Sequence, residues 1–126
     1  HGLADRVTLH QGDGLDAVHG QRYDLILCNP PYVNAESMAA LPPEYRAEPA
    51  LALAGGADGM DFIRSLVAQA HSHLADGGVL VIEIGREAAH FERAFAPLEF
   101  AYLPTSAGDD QVLLMTRDAL LKLKPY

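Results

Sequence analysis

Positive charge is scarce in this sequence. Nine Lys and Arg stand against 17 Asp and Glu, a formal net charge of −8, and such a balance argues against a general polyanion-binding surface. No apolar run approaches the ~20 residues that a membrane-spanning helix needs. The opening His1-Gly2-Leu3 lacks the basic-then-apolar order of a secretory signal. Cysteine is reduced to Cys28, which excludes an internal disulfide framework. A soluble protein in the reducing cytoplasm is the expectation, with no membrane partner. What is present is ordinary for a folded domain: 126 residues, 49% hydrophobic and 21% charged, enough for one core and not for two. There is no internal repeat and no linker, so residues 1–126 read as part or all of a single domain. The first residue is His rather than Met, which fits a piece of a longer chain.

Arg6 to His10 alternates polar and apolar residues and predicts a strand. Gln11-Gly12-Asp13-Gly14 predicts a turn, followed by one helical turn over Leu15 to Val18. Tyr23 to Cys28 is an apolar run stopped by Asn29-Pro30-Pro31, again a strand. The stretch from Asn34 to Gly56 carries three prolines and two glycines and reads as a long functional loop, helix-friendly only over Ala35 to Leu41. From Asp58 to Leu74, the residues Ile63, Leu66, Val67, Ala70 and Leu74 fall on one helical face, with Asp58 as N-cap and Gly77 as the stop. Val79 to Ile84 is apolar but for Glu83, as in a strand covered on both faces of a parallel sheet, and Glu83 there calls for a buried donor. Glu87 to Phe95 predicts a short helix with Ala88, Phe91, Ala94 and Phe95 inward. Leu98 to Leu103 and Gln111 to Thr116 predict a final antiparallel hairpin. The order gives an α/β fold with a mostly parallel sheet.

Ligands of open parallel sheets bind beyond the carboxyl ends of the strands. Gly12-Asp13-Gly14, Asn29-Pro30-Pro31-Tyr32 and Glu83-Ile84-Gly85 each follow a predicted strand. In Asn-Pro-Pro-Tyr the prolines stiffen the backbone and leave carbonyls free. The Asn29 side-chain oxygen and the Pro30 carbonyl can each accept one hydrogen of a planar NH2 group, with the Tyr32 ring on its flat face. The plainer alternative is a strand ended by a Pro-rich turn. His71 and His73 are spaced onto different helical faces, which argues against a zinc pair. Cys28 reads as a small buried hydrophobe, and Lys122 and Lys124 as a solvated basic tail.

The run Asp24-Leu-Ile-Leu-Cys-Asn-Pro-Pro-Tyr-Val resembles the signature of class I S-adenosylmethionine-dependent methyltransferases acting on amide or amine nitrogens. Those include the adenine-N6 enzymes and the HemK-type protein-glutamine N5 enzymes. Leu41 to Asp61 and Gly108 to Leu120 are similar to the corresponding segments of the glutamine enzymes, closest to the branch that modifies the third protein of the large ribosomal subunit. The resemblance implies a Rossmann-like fold and S-adenosyl-L-methionine as cofactor. It implies that Asn29, Pro30, Pro31 and Tyr32 bind the glutamine amide, with Asn29, Pro30 and Tyr32 catalytic. Cofactor binding falls to Asp13, Gly14, Leu15 and Asn29, with Asp13 accepting from the adenine amino group; no metal is implied. Glu48 lies in the family's Glu-Pro stretch, as a loop anchor or a solvated acid.

The family's glycine-rich loop and the acidic residue that holds the ribose have no counterpart in these 126 residues. The chain therefore reads as the carboxyl-terminal part of a methyltransferase domain that lacks its first two strands and is inactive alone. Tyr23 to Cys28 then becomes an exposed apolar edge, through which the chain is expected to dimerise or swap, or beside which its first residues rearrange. The expected partner is a basic ribosomal protein, without direct nucleic-acid binding. The alternatives are an adenine-N6 nucleic-acid methyltransferase and a non-catalytic α/β module.

Overall fold

A computed structural model describes residues 5–30 and 60–123. In those residues the chain forms β1 (Tyr23–Cys28), α1 (Asp61–Gln69), β2 (Leu74–Glu83), α2 (Ala88–Ala94), β3 (Ala101–Tyr102), β4 (Val112–Thr116) and α3 (Arg117–Leu121). A 3-10 turn spans Gly14–Val18, and a second, Ala70–His73, continues α1 into β2. The four strands form one sheet in the order β1-β2-β4-β3.

β1 and β2 run parallel, Cys28 beside Ile82, while β4 is antiparallel to both β2 and β3. The α/β expectation holds, but two of the three pairings are antiparallel. The final hairpin enters the sheet through its second strand, and that insertion outweighs the single parallel pair.

The apolar stripe of α1 is buried where the spacing placed it: Ile63, Leu66, Val67, Ala70 and Leu74 all lie in the core. The same cluster takes Phe91 and Phe95 from α2, Ala119 and Leu120 from α3, and Leu80, Ile82, Ile84, Leu113 and Met115 from the strands. Sequence neighbours on a strand point to opposite faces, so these strand residues define one face of the sheet, with the helices upon it. Phe100 meets Phe91 edge-on, centroids 5.2 Å apart, and Tyr102 meets Phe100 the same way at 5.1 Å. These rings fasten α2 to β3.

Several expectations are corrected. Arg6 to His10 forms no strand: Arg6 lies in a turn and residues 7–10 are irregular, with Val7 51% and Leu9 90% exposed. Alternation alone does not hold a strand without a ladder partner, and among the described residues β1 pairs only with β2. Helix α1 starts at Asp61 behind Met60 rather than at Asp58, which lies outside the described residues, as does the 34–56 loop. Gly77 does not stop that helix. It sits at φ +76° within the irregular start of β2, where the register slips between Tyr23 and Leu25. At Gly78 a Cβ would meet the Ala75 and Tyr23 carbonyls at 2.8 and 3.0 Å, so the close approach of β1 requires glycine. Coverage of β2 on both faces fails, since Val79, Val81 and Glu83 alternate as half-buried with the fully buried Leu80 and Ile82. Glu83 therefore has no buried setting that demands a donor. The 98–103 strand shrinks to Ala101–Tyr102, because the chain turns at Leu98, whose N–H bonds to Phe95 O at 2.6 Å. Helix α3 was not foreseen. Thr116 caps it, its hydroxyl accepting from the Ala119 N–H at 3.1 Å, and Arg117 ties it down, its Nε donating to the His71 carbonyl at 3.1 Å.

Candidate functional site

The parallel register puts Asn29 and Pro30, just past β1, level with the end of β2 at Glu83. Asn29 is exposed and Pro30 is buried. A buried, conformationally fixed proline directly after an exposed amide anchors the backbone that presents that amide. Pro31 and Tyr32, the rest of the expected substrate clamp, lie outside the described residues, as does Glu48.

Helix α1 leads through Ala70–His73 into the start of β2. Its first turn therefore stands at the carboxyl end of the parallel pair. Phe62 belongs to that first turn and meets the Gly12–Leu15 turn: a Cβ added at Gly14 would lie 3.3 Å from Phe62 Cζ. Gly14 has φ +55°, a conformation that costs other residues energy. At Gly12 a Cβ would fall 2.8 Å from that of Ala17, so the winding of the turn also requires glycine there. Leu15 packs on the edge of the core. Asp13 precedes the 3-10 turn with an exposed side chain; its carbonyl accepts from the Asp16 N–H at 3.1 Å while its carboxylate caps nothing. Asp13, Gly14, Leu15, Asn29 and Pro30 are thus at one end of the sheet, although Gly12 to Gly14 follows no strand there, since Arg6 to His10 forms none.

Two further features of this end had no place in the sequence reading. Phe62 supports the Gly14 turn but lies off the apolar stripe that identified α1, so spacing gave no sign of it. Glu87, at the start of α2, has its carboxylate hydrogen-bonded to His90 Nδ1, an i, i+3 pair visible in retrospect. The Thr105–Gly108 bridge and Gln111 flank the same end, Gln111 O accepting from the Ile84 N–H at 2.8 Å. Cys28, the last residue of β1, is half-buried, and burial pushes its thiol above the ordinary 9.0. It stands beside the site as a neutral group. His73 is buried and His71 half-buried, and among the described residues no group of three or more His, Cys, Asp and Glu is placed to hold a metal ion. No helix among them is long and apolar enough to cross a membrane.

No family model matches the chain. Curated relatives do. The chain is 57% identical over 120 residues to a ribosomal protein uL3 glutamine methyltransferase of Bordetella pertussis, covering 95% of the chain and 40% of that protein. The corresponding enzyme of Burkholderia pseudomallei is 53% identical over 122 residues, covering 91% of the chain and 40% of the enzyme. That of Bradyrhizobium diazoefficiens is 50% identical over 112 residues, 89% of the chain and 35% of the enzyme. The chain thus spans about two fifths of the length of the curated relatives it matches.

Proposed function

From a chain that is a close relative of ribosomal protein uL3 glutamine methyltransferases over nearly its whole length, we propose that these 126 residues belong to an enzyme that transfers a methyl group to the side-chain nitrogen of a glutamine in a large-subunit ribosomal protein. The observation that carries this reading is the agreement at 57% identity together with an exposed Asn29 anchored by a buried Pro30 at the carboxyl end of the sheet.

S-adenosylmethionine, the expected donor, supplies an electrophilic methyl group when bound. Its adenine end fits what the described residues offer. The Asp13 carboxylate is exposed and not used in capping, and an ionised carboxylate is a strong acceptor for an exocyclic amino group. Gly14 and Leu15 complete that side. The ribose and methionine ends have no counterpart in the sequence, so the remainder of the cofactor site falls to polypeptide of the kind the longer relatives possess.

A carboxamide nitrogen is a weak nucleophile, because its lone pair is delocalised into the carbonyl. The work left to the protein is to orient the amide and to stabilise positive charge as it develops on nitrogen. In this reading the Asn29 side-chain oxygen and the Pro30 carbonyl accept from the amide N–H groups, and packing against the amide plane is the role the resemblance gives to Tyr32. Pro31 keeps the segment stiff. The overall acidity of the chain, −8, suits a basic protein substrate.

The test is a chimera in which this chain replaces the matching 120 residues of the Bordetella pertussis relative, supplied with isotopically labelled S-adenosylmethionine. Label is expected on a glutamine of unmethylated uL3 and not on an adenine-containing oligonucleotide. Transfer to the oligonucleotide would replace the reading with the adenine-N6 alternative, and no transfer to either would leave the non-catalytic module.

A further inference from the structure

Val79 to Ile84 is apolar at every position but Glu83, and the register shows what stands beside that carboxylate. Leu27 is level with Val81 and Cys28 with Ile82, so the next step sets Asn29 beside Glu83. The two share a face of the sheet. On β1, Ile26 and Cys28 pack against the core and the buried Pro30 continues that alternation, while Leu25, Leu27 and Asn29 are exposed and turn the other way. On β2, Leu80, Ile82 and Ile84 belong to the core, and Val79, Val81 and the half-buried Glu83 turn away from it. On its other side Glu83 is paired with Val112 of β4. Of its two lateral neighbours, therefore, only Asn29 is polar.

Among the described residues, ion pairs engage the carboxylates of Asp61, Glu87 and Asp76, and no hydrogen bond or ion pair uses that of Glu83. The Asn29 amide is equally unused. Adjacent strands lie ~4.8 Å apart, a gap that glutamate and asparagine side chains bridge by rotating about their own bonds.

An asparagine amide presents an acceptor on one side and two donors on the other, exchanged by a half turn. Only with Oδ1 toward the substrate can it accept from an NH2 group; the reverse sets donor against donor. A carboxylate accepts and does not donate, so one beside Asn29 draws Nδ2 toward itself and turns Oδ1 away. Its charge also polarises the amide, adding electron density at the atom that meets positive charge as it develops on the substrate nitrogen. We infer that Glu83 is a positioning residue for the transfer: its carboxylate accepts from the Asn29 Nδ2–H and fixes Oδ1 toward the substrate amide. The inference rests on the reading of Asn29 under the proposed function and extends it to a residue that touches no substrate.

The experiment compares Glu83→Ala and Glu83→Gln in the chimera defined above, with Asn29 present and in the Asn29→Ala background. With Asn29 present, Glu83→Ala is expected to lower kcat by about 10- to 100-fold and to leave the Kd for S-adenosylmethionine and the urea midpoint unchanged. Glu83→Gln, whose Oε1 still accepts, should restore most of that loss. In the Asn29→Ala background, where nothing is left to orient, Glu83→Ala should cost less than about two-fold. An unchanged kcat, or an equal loss in both backgrounds, would overturn the inference. A second readout needs no turnover: in the isotopically labelled 126-residue chain, Glu83→Ala is expected to move the Asn29 side-chain amide protons upfield in the NMR spectrum, and Glu83→Gln to move them less. Resonances indifferent to both substitutions would also overturn it. If they respond as expected while the chimera methylates no glutamine, the pairing of Glu83 with Asn29 stands and the glutamine reading falls.

Discussion

Gly14 shows how much of the site depends on single residues. Its φ of +55° lies in the left-handed region, and the Phe62 ring occupies the space a side chain would enter. Gly14→Ala therefore combines a backbone penalty of roughly 1 kcal/mol with displacement of Phe62. A loss of about 1–2 kcal/mol in urea unfolding of the chain is expected, and an unchanged midpoint would remove the turn from the fold's requirements. Asn29 is the complementary case, exposed and costing the fold little. In the chimera, Asn29→Ala is expected to lower kcat by about 30- to 1,000-fold, the equivalent of ~2–4 kcal/mol of transition-state stabilisation. The Kd for S-adenosylmethionine should move far less, and an unchanged kcat would take Asn29 out of the chemistry. The turn at Gly12-Asp13-Gly14 was legible because glycine is the residue a positive φ favours, and the Asn29-Pro30 pair because proline biases the residue before it away from the helical region. Phe62 was not, because its role arises from contact across the fold rather than from spacing along the chain.

At the scale of elements, legibility followed burial. The stripe of α1 and the aromatic face of α2 were evident because each element turns a periodic apolar face to the core. Arg6 to His10 was misread because alternation records only which side a residue favours; whether a strand forms depends on a neighbouring ladder. Helix α3, from Arg117 to Leu121, was missed because five residues are too few for a period, although Thr116 ahead of an acidic first turn is the capping signal that could have found it. Between elements, the contact most open to test is that of Tyr102 on β3 with Glu92 on α2, the phenol donating to the carboxylate at 2.6 Å. Burial first, and then this acceptor and the negative charges of Glu92 and Asp110, hold the phenol well above its ordinary 10.0. The folded state thus keeps a proton that the unfolded state releases. The contribution is complete below pH 10.0 and is lost as pH rises beyond it. Tyr102→Phe should accordingly unfold less steeply with alkali above that pH while losing some stability at neutrality, and parallel stability curves for the two proteins would refute the linkage.

At the scale of the whole molecule, the two faces of one strand permit a direct comparison of a closed layer with an open one. Leu113 and Leu114 are adjacent on β4, chemically identical, and paired to Ile82 and Val81 of the same neighbouring strand. Leu113 is wholly buried under the helices, and Leu114 is half-covered on the opposite face. Truncating Leu113 removes apolar contact and leaves a cavity, so Leu113→Ala is expected to cost about 2–5 kcal/mol. That is a large fraction of the roughly 5–15 kcal/mol that stabilises a typical domain. Leu114→Ala removes the same atoms from a site that water already reaches, and in the isolated chain it should cost less than about 1.5 kcal/mol. The difference belongs to the architecture and not to the strand, because β propensity and pairing are shared by the two positions. In the chimera, where polypeptide of the relatives' length is present, the two costs should converge if a second layer closes over Leu114, and urea unfolding of the four variants measures this. A gap equally wide in both contexts would mean that Leu114 faces solvent in the longer protein as well, and that the apolar character of this face has another cause.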